Sequence, residues 1–567
     1  MDPEIPKLSF DLVIVGAGVA GCVLASRISH ARPHLRILLL EAGVDKDDRV
    51  LPTLGIMGGF DSTLEWNYRS VPQARGFGGE VVNLTSGKIV GGGSAVNYQT
   101  FTRGPAVDYD QWAELVQDPR WSWSSLLPYF KKSETWFPSA DLRERGLPTT
   151  NLHGHDGPIK VSHATNSGRP RNYPLRETSR RFHELRGCQH ALDINGGNPE
   201  GYAEAFNSTY EGLRSYAAGY VLGENVTLWT RSLVEKVVVE QGAAKGVVVL
   251  RPVGDTDTHE RFYVEASKEV ILSAGAQSSP KILLLSGIGP TAELARHQIP
   301  PIVDLPVGRN YADHPAIFTY WAIDLPNAVL GDGEMQGPDL DWTAGLPYDW
   351  ISFAPADQGT RELARQFLPA DQYQRYSAPG KLQVEAFTVY TSVDTCTRTP
   401  LAPGWPGKRV FSIAHILVDP VSRGTVTLRS ADPTDPPILD PNLLASPVDR
   451  SALYECVRSC ARAIQAVEGL NAVEWGVEDA LRGDWSDEAI ESRARRMGAG
   501  TVFHPSGTCA MGQVVDGDCR VLGVEGLRVV DAGVIPIPLA AHYQAPMYGV
   551  AERVSYFLLM SWGILTC

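Results

Sequence analysis

The feature that most limits how this chain can fold lies in its first forty residues. Asp11-Leu-Val-Ile-Val15 is a short apolar run of the kind a buried parallel strand needs, and GAGVAG follows at once. Gly16, Gly18 and Gly21 keep the Gly-x-Gly-x-x-Gly spacing, and residues 19–28 then carry apolar side chains at helical period. The first glycine permits the tight turn, the second lets backbone approach a pyrophosphate, and the third lets helix pack on strand. A second strand over 36–40 ends at Glu41, where an acid can accept hydrogen bonds from a ribose diol. The reading is an α/β fold that opens with a dinucleotide site. The glycines alone do not separate FAD from NAD.

Size and charge narrow the rest. The chain has 567 residues, enough for two to four units, and 51 basic against 65 acidic residues give a net charge of −14 with no Lys/Arg run. This argues against nucleic acid or an anionic membrane as partner. No apolar stretch reaches the roughly 20 residues of a membrane span. MDPEIPKLSF lacks a charged-then-apolar secretory pattern, so the expectation is a cytoplasmic protein, secreted only if a signal peptide once preceded it. Three Asn-x-Ser/Thr triplets, at Asn83, Asn207 and Asn225, matter only in that second case. The eight cysteines form no Cys-x-x-Cys pair; Cys456 and Cys460 lie one helical turn apart, and all are expected to be free structural thiols. No metal is expected. His153 and His155 read as a polar loop without ligand-spaced partners, and His314 as a loop stabiliser.

Two further stretches are unusual. GKIVGGGSAVNY at 87–98 lets backbone pass close to a flat ligand, with Asn97 adding an amide. GAQSSPKILLLSGIG at 275–289 joins a strand over 269–273 to an apolar helix, with Ser279 as expected N-cap and Pro280 in the first turn.

With these residues the chain resembles the glucose–methanol–choline oxidoreductases. Gly91 to Asn97, Phe101, Gly104 and Asp110 match one family signature; Gly275, Ala276, Ser279, Pro280, Ile282, Leu283 and Ser286 to Gly289 match a second. Trp66-Asn67-Tyr68, LPVGRNYADHP at 305–315, TVFHPSGTCAMG around His504 and AAHYQAPMYGVAERV around His542 extend the likeness over residues 10–555. It implies FAD in a Rossmann-like domain (1–160, 226–305 and 500–567), with an interleaved α+β substrate domain (161–225 and 306–499) built on an antiparallel sheet. It implies cofactor contacts from Gly16, Gly18, Val19, Ala20, Glu41, Ala42, Trp66, Gly92, Gly93, Ser94, Asn97, Tyr98, Val234, Ala274, Asp531, Ala532, His542, Gln544 and Pro546. A covalent flavin link is disfavoured, because Asn97-Tyr98-Gln99 offers no His or Cys at the usual attachment point.

The resemblance also supplies the chemistry. Hydride loss from an alcohol builds positive charge on the carbinol carbon, so a base that removes the hydroxyl proton lowers the barrier, and imidazole has the right proton affinity. His504 matches the family's base and His542 the position that holds the substrate oxygen. Tyr98 and Phe503, their neighbours, are expected to line the substrate cavity with both histidines. Strand-like runs at 383–390, 411–418 and 424–428 predict the antiparallel sheet. Trp342, Tyr348, Trp350 and Phe353 add aromatic surface, and the segment 322–382 is the least family-like and hence the expected source of specificity. The expected reaction is FAD-dependent oxidation of a small-molecule alcohol, a primary aromatic or heteroaromatic one, to the aldehyde, with oxygen or another acceptor closing the cycle. The alternative kept beside it is a non-redox lyase or cyclase that retains FAD structurally and uses His504 as acid and base.

Overall fold

The computed structural model describes residues 5–51, 63–139, 142, 151–168, 175–254, 258–323, 346–390, 393–394, 399–400, 409–497 and 499–563. Trp342 and part of the 322–382 segment lie outside them. The expected opening strand is longer than read, Lys7–Val15, and the helix after the glycines runs Val19–Ala31. Strand Lys7–Val15 pairs in parallel with Ile37–Leu40 on one side and His259–Leu272 on the other; Val226–Trp229 adds in parallel to Ile37–Leu40. All four residues of Ile37–Leu40 are buried, as a parallel strand covered on both faces requires.

The strand read over 269–273 is the end of the long strand His259–Leu272. Its first half pairs antiparallel with Ala243–Pro252, which in turn pairs with Leu233–Glu240. Its last residues, Val270 to Leu272, instead take Leu527–Val529 as a parallel neighbour. This pairing carries the chain's C-terminal region back to the glycine turn. The last helix, Gln544–Ser561, packs on Val19–Ala31 and Trp123–Ser133, and its buried Glu552 meets Arg27 at 2.7 Å and Lys132 at 2.9 Å.

A second seven-stranded sheet is antiparallel, in the order Val473–Glu474, Pro315–Ile323, Arg409–Leu417, Val384–Val389, Trp350–Ala354, Gly201–Glu204, with Ala499–Thr501 also on Pro315–Ile323. Period-two alternation divides its faces. Ile317 and Trp321, Ile413 and Leu417, and Val384 and Ala386 join a core with helix Pro447–Gln465. Phe318, Ala414, Ile416 and Phe387 face the other way, into the core shared with the first sheet. The architecture is therefore the expected α/β one, a Rossmann-like unit beside an α+β unit on an antiparallel sheet. One expected strand goes elsewhere: 424–428 shrinks to Thr425–Thr427 and pairs with Ile438–Asp440 in a separate two-stranded sheet, because Tyr311 and Gly308 hold its backbone. Among the described residues no helix is long and apolar enough to cross a membrane.

Candidate active site

One elongated cavity runs from the glycine turn to the C-terminal histidines. Gly16, with φ +99°, carries the chain out of its strand where a Cβ would collide with the Ser273 carbonyl oxygen, and a Cβ on Gly21 would collide with the carbonyl oxygen of Gly16. Helix Val19–Ala31 begins at Gly18 with no side-chain cap and no acid in its first turn, which leaves its N–H groups for an anionic ligand. Glu41 lines the same end; its Oε2 accepts from Ala17 N at 3.0 Å and its Oε1 from Gly43 N at 2.8 Å. Burial pushes its carboxyl up to about 7 against these N–H bonds. A Cβ on Gly93 would meet nothing within 4 Å, so this side of the 87–98 loop stands open to the cavity.

Most of the expected cofactor residues line this space: Gly16, Gly18, Val19, Ala20, Glu41, Ala42, Trp66, Gly92, Gly93, Ser94, Asn97, Tyr98, Val234, Ala274, Asp531, Ala532, His542 and Gln544. Pro546 does not; it is buried inside the first turn of the last helix. Two of these polar groups also have protein partners. Asn97 Oδ1 is taken by Arg214 Nη1 at 2.7 Å and Gln99 N at 3.1 Å. Asp531 clamps backbone, its Oδ2 accepting from Gly275 N at 3.0 Å and Ser279 Oγ at 2.6 Å and its Oδ1 from Gly533 N at 2.8 Å. Ser279 is thereby committed to Asp531 and is not the N-cap; the helix starts at Ser278, and Gln277 holds the N-cap position without a side-chain capping bond.

At the far end the segments around 312 and 504 run side by side, joined by Ala312 N to Ser506 O, Ser506 N to Ala312 O and Val502 N to His314 O. Phe503 adopts φ +60°, and the next residue, His504, donates its backbone N–H to Asp313 Oδ1 at 2.9 Å. The His504 ring then lies 4.8 Å from the His542 ring, at 81°, and nearly parallel to Tyr543 at 5.2 Å. Nδ1 of His504 bonds Nδ1 of His314 at 2.9 Å, and His314 Nε2 reaches the Tyr543 hydroxyl at 3.3 Å. Burial, together with the neighbouring His542, holds both His504 and His314 below the usual imidazole range, His314 at about 3. Both rings are therefore neutral.

His542 has different company. Its backbone N–H goes to Thr102 Oγ1 at 2.8 Å, and its Nε2 pairs with Glu385 Oε1 at 2.9 Å. Glu385 sits on strand Val384–Val389 behind His542, and its Oε2 is buried with no hydrogen-bond partner among the described residues. Glu385 holds the His542 ring by Nε2 and His314 holds the His504 ring by Nδ1, so the two imidazoles, 4.8 Å apart, are fixed by different partners.

Tyr98 and Phe503 line the cavity as expected, with Phe318, Tyr348, Phe387 and Val389 from and beside the antiparallel sheet. Sequence reasoning missed Glu385, although a single acid inside the apolar run QVEAFTVY was the available signal. It also under-read His314. His153, expected in a polar loop, is buried between Glu134 at 2.8 Å and Asp193 at 3.1 Å, a satisfied core histidine.

A parallel-sheet dinucleotide turn joined by one cavity to paired imidazoles defines a flavin-type oxidoreductase site. The family comparisons agree. GMC oxidoreductase models match residues 10–316 and 420–551. The GMC-type oxidoreductase acuG of Aspergillus aculeatus is 33% identical over 562 residues, covering 97% of this chain and 99% of that protein. A formate oxidase variant of Aspergillus oryzae superposes with a TM-score of 0.86 at 28% identity, covering 98% of both chains, and a fungal aryl-alcohol oxidase with 0.78 at 27% identity, covering 98% and 99%. The chain belongs to the GMC oxidoreductases, FAD-dependent enzymes acting on CH–OH donors, which pair a small-molecule substrate with an electron acceptor.

Proposed function

We propose that this protein oxidises a primary aromatic or heteroaromatic alcohol to the aldehyde, with His504 as base and His542 holding the substrate oxygen. The observation that carries the reading is two imidazoles 4.8 Å apart at one end of the cavity, one bonded to His314 and the other to the Glu385 carboxyl. His504 is neutral, and in the tautomer that donates Nδ1–H to His314 it presents the Nε2 lone pair to a hydroxyl proton. His542, with Nε2 committed to Glu385, offers Nδ1 to the oxygen on which negative charge develops. FAD, when bound, takes up the hydride that leaves the carbinol carbon. The residues that would hold it are those of the glycine turn, Glu41 and Ala42 at the ribose end, the 92–98 loop, Val234, Ala274, and Asp531, Ala532 and Gln544.

The aromatic lining of Tyr98, Phe318, Phe387 and Phe503 favours a flat apolar substrate, and one of the proteins with a similar structure is an aryl-alcohol oxidase. The strands of the two large sheets favour a cofactor unit of 1–160, 226–305 and 500–567 and a substrate unit of 161–225 and 306–499, although Ala499–Thr501 and the small sheet of Glu134–Phe137, Ile159–His163 and Phe206–Asn207 cross those bounds. The test is a panel of benzylic, furanic, aliphatic and sugar alcohols under air and with an artificial acceptor, with aldehyde and peroxide both measured. Preference for the first two classes is expected, with peroxide formed under air if oxygen closes the cycle; a preference for sugars refutes the substrate assignment.

A further inference from the structure

Behind the substrate sheet, on the face turned away from the cavity, three donor groups converge. Helix Pro447–Gln465 presents Cys456 and Cys460, one turn apart, to strand Arg409–Leu417, and His415 stands opposite them. One ring nitrogen of His415 and the two Sγ atoms all lie within 4.8 Å of one another. His415 and Cys460 are 0% exposed and Cys456 4%.

The imidazole is oriented as a ligand would be. Its Nε2 meets Thr319 Oγ1 at 3.0 Å, and Trp321 Nε1 donates to the same oxygen at 3.0 Å. With the ring proton on Nε2, Nδ1 carries a lone pair; it is buried with no hydrogen-bonded partner among the described residues. A polar hydroxyl that fixes the far nitrogen is the usual second support of a metal-bound histidine. Arg186 Nη2 lies 3.8 Å from Cys456 Sγ, a fixed positive charge beside that sulfur. Cys188, only partly buried, interacts electrostatically with both cysteines.

We propose that His415, Cys456 and Cys460 bind a thiophilic d10 cation, Zn(II) or Cu(I). Around either ion, with metal–ligand bonds of about 2.0–2.3 Å, donor atoms sit about 3.5–4 Å apart, which the present cluster reaches by small rotamer closure. Each thiol gives up its proton to solvent on binding, and the ion keeps its oxidation state. Two thiolates, a monovalent ion and Arg186 sum to zero charge, which suits three-coordinate Cu(I). Zn(II) leaves one positive charge and needs a fourth ligand, which the Cys188 thiol would have to move in to supply. The ion would tie the helix to the strand pair that carries Glu385, whose carbonyl oxygen lies 4.0 Å from Cys456 Sγ. The alternative is a packed thiol cluster of no metal affinity.

The test is made on the FAD-loaded enzyme, purified under reducing conditions, by elemental analysis and by titration with Zn(II) or Cu(I) against a colorimetric chelator. About one equivalent of one ion per chain is expected, and the Cys456→Ser/Cys460→Ser variant should lose it while keeping its flavin. Cys188→Ser should weaken zinc at least tenfold and leave copper unchanged. Should the double variant fail to fold, Co(II) added to the unaltered protein gives a second reading: a thiolate-to-cobalt charge-transfer band and protection of Cys456 from alkylation are expected. Wild-type protein that retains and takes up neither ion and shows no cobalt band, or a folded double variant that binds as well as wild type, overturns the proposal.

Discussion

Glu385→Gln is the most informative single change at the site. Glutamine keeps the shape and can still accept from His542 Nε2, so the substitution removes charge and little else. Two unit charges separated by the 4.8 Å between the rings repel by about 3.5 kcal/mol at an effective dielectric of about 20. That equals about 2.5 pH units of titration, an upper limit for the pressure a charged His542 puts on His504. His504 works only when neutral, so its activity disappears as pH falls through its titration. Burial and His542 push that titration below the usual imidazole range, and the acid limb of kcat/KM should lie well under pH about 6.5. In Glu385→Gln, His542 keeps a hydrogen-bond partner at Nε2 and loses the negative charge beside it. The plateau kcat should fall about 100-fold, the usual scale for a disabled hydrogen-bond donor at a developing oxyanion, while FAD content is unchanged. The assay is steady-state kcat/KM against pH with an aromatic alcohol, with flavin absorbance as control. A kcat within threefold of wild type would refute a role for the Glu385 charge in the contact that His542 makes to the substrate oxygen.

His314→Phe should lower kcat about 10–30-fold with little change in KM, since His504 loses the partner that fixes its tautomer at a cost of about 1–2 kcal/mol. His314→Asn, whose amide oxygen can still accept from Nδ1–H, should stay within about threefold; equal losses in both would argue against tautomer control. Gly16→Ala should fail to retain flavin and lose stability, because its Cβ meets Ser273 backbone. Gly93→Ala, facing open space, should leave the thermal midpoint of flavin-free protein unchanged and weaken FAD binding. Unaltered FAD affinity in Gly93→Ala would mean that the cofactor does not pass along the 92–98 loop.

Much of the cofactor half was legible because its rules are local. A strand, three spaced glycines, a helix and an acid occupy consecutive residues, and each is needed for a stated steric or electrostatic reason. The two histidines were found through resemblance, and the structure brings them together. What stayed hidden depends on distance along the chain. His314 meets His504 across 190 residues and Glu385 meets His542 across 157, and no periodicity encodes such encounters. The same holds for Ser279, which looks locally like a cap but is claimed by Asp531 from the other end of the sequence. Strand 424–428 was correctly extended but assigned to the wrong sheet, because alternation tells which face is buried and not which neighbour is paired. Cys456 and Cys460 were visible as a helical pair; His415, on a separate strand, was not.

The account stands on a neutral His504 removing the hydroxyl proton as the alcohol is oxidised. Anaerobic mixing of FAD-loaded wild type and His504→Ala with a benzylic alcohol, followed by flavin absorbance, tests this directly. Rapid bleaching in wild type and bleaching slowed at least 100-fold in the variant, with equal flavin content, is the predicted result. Bleaching at the same rate in both would place the base elsewhere, and product formed without any bleaching would show that the reaction is not redox.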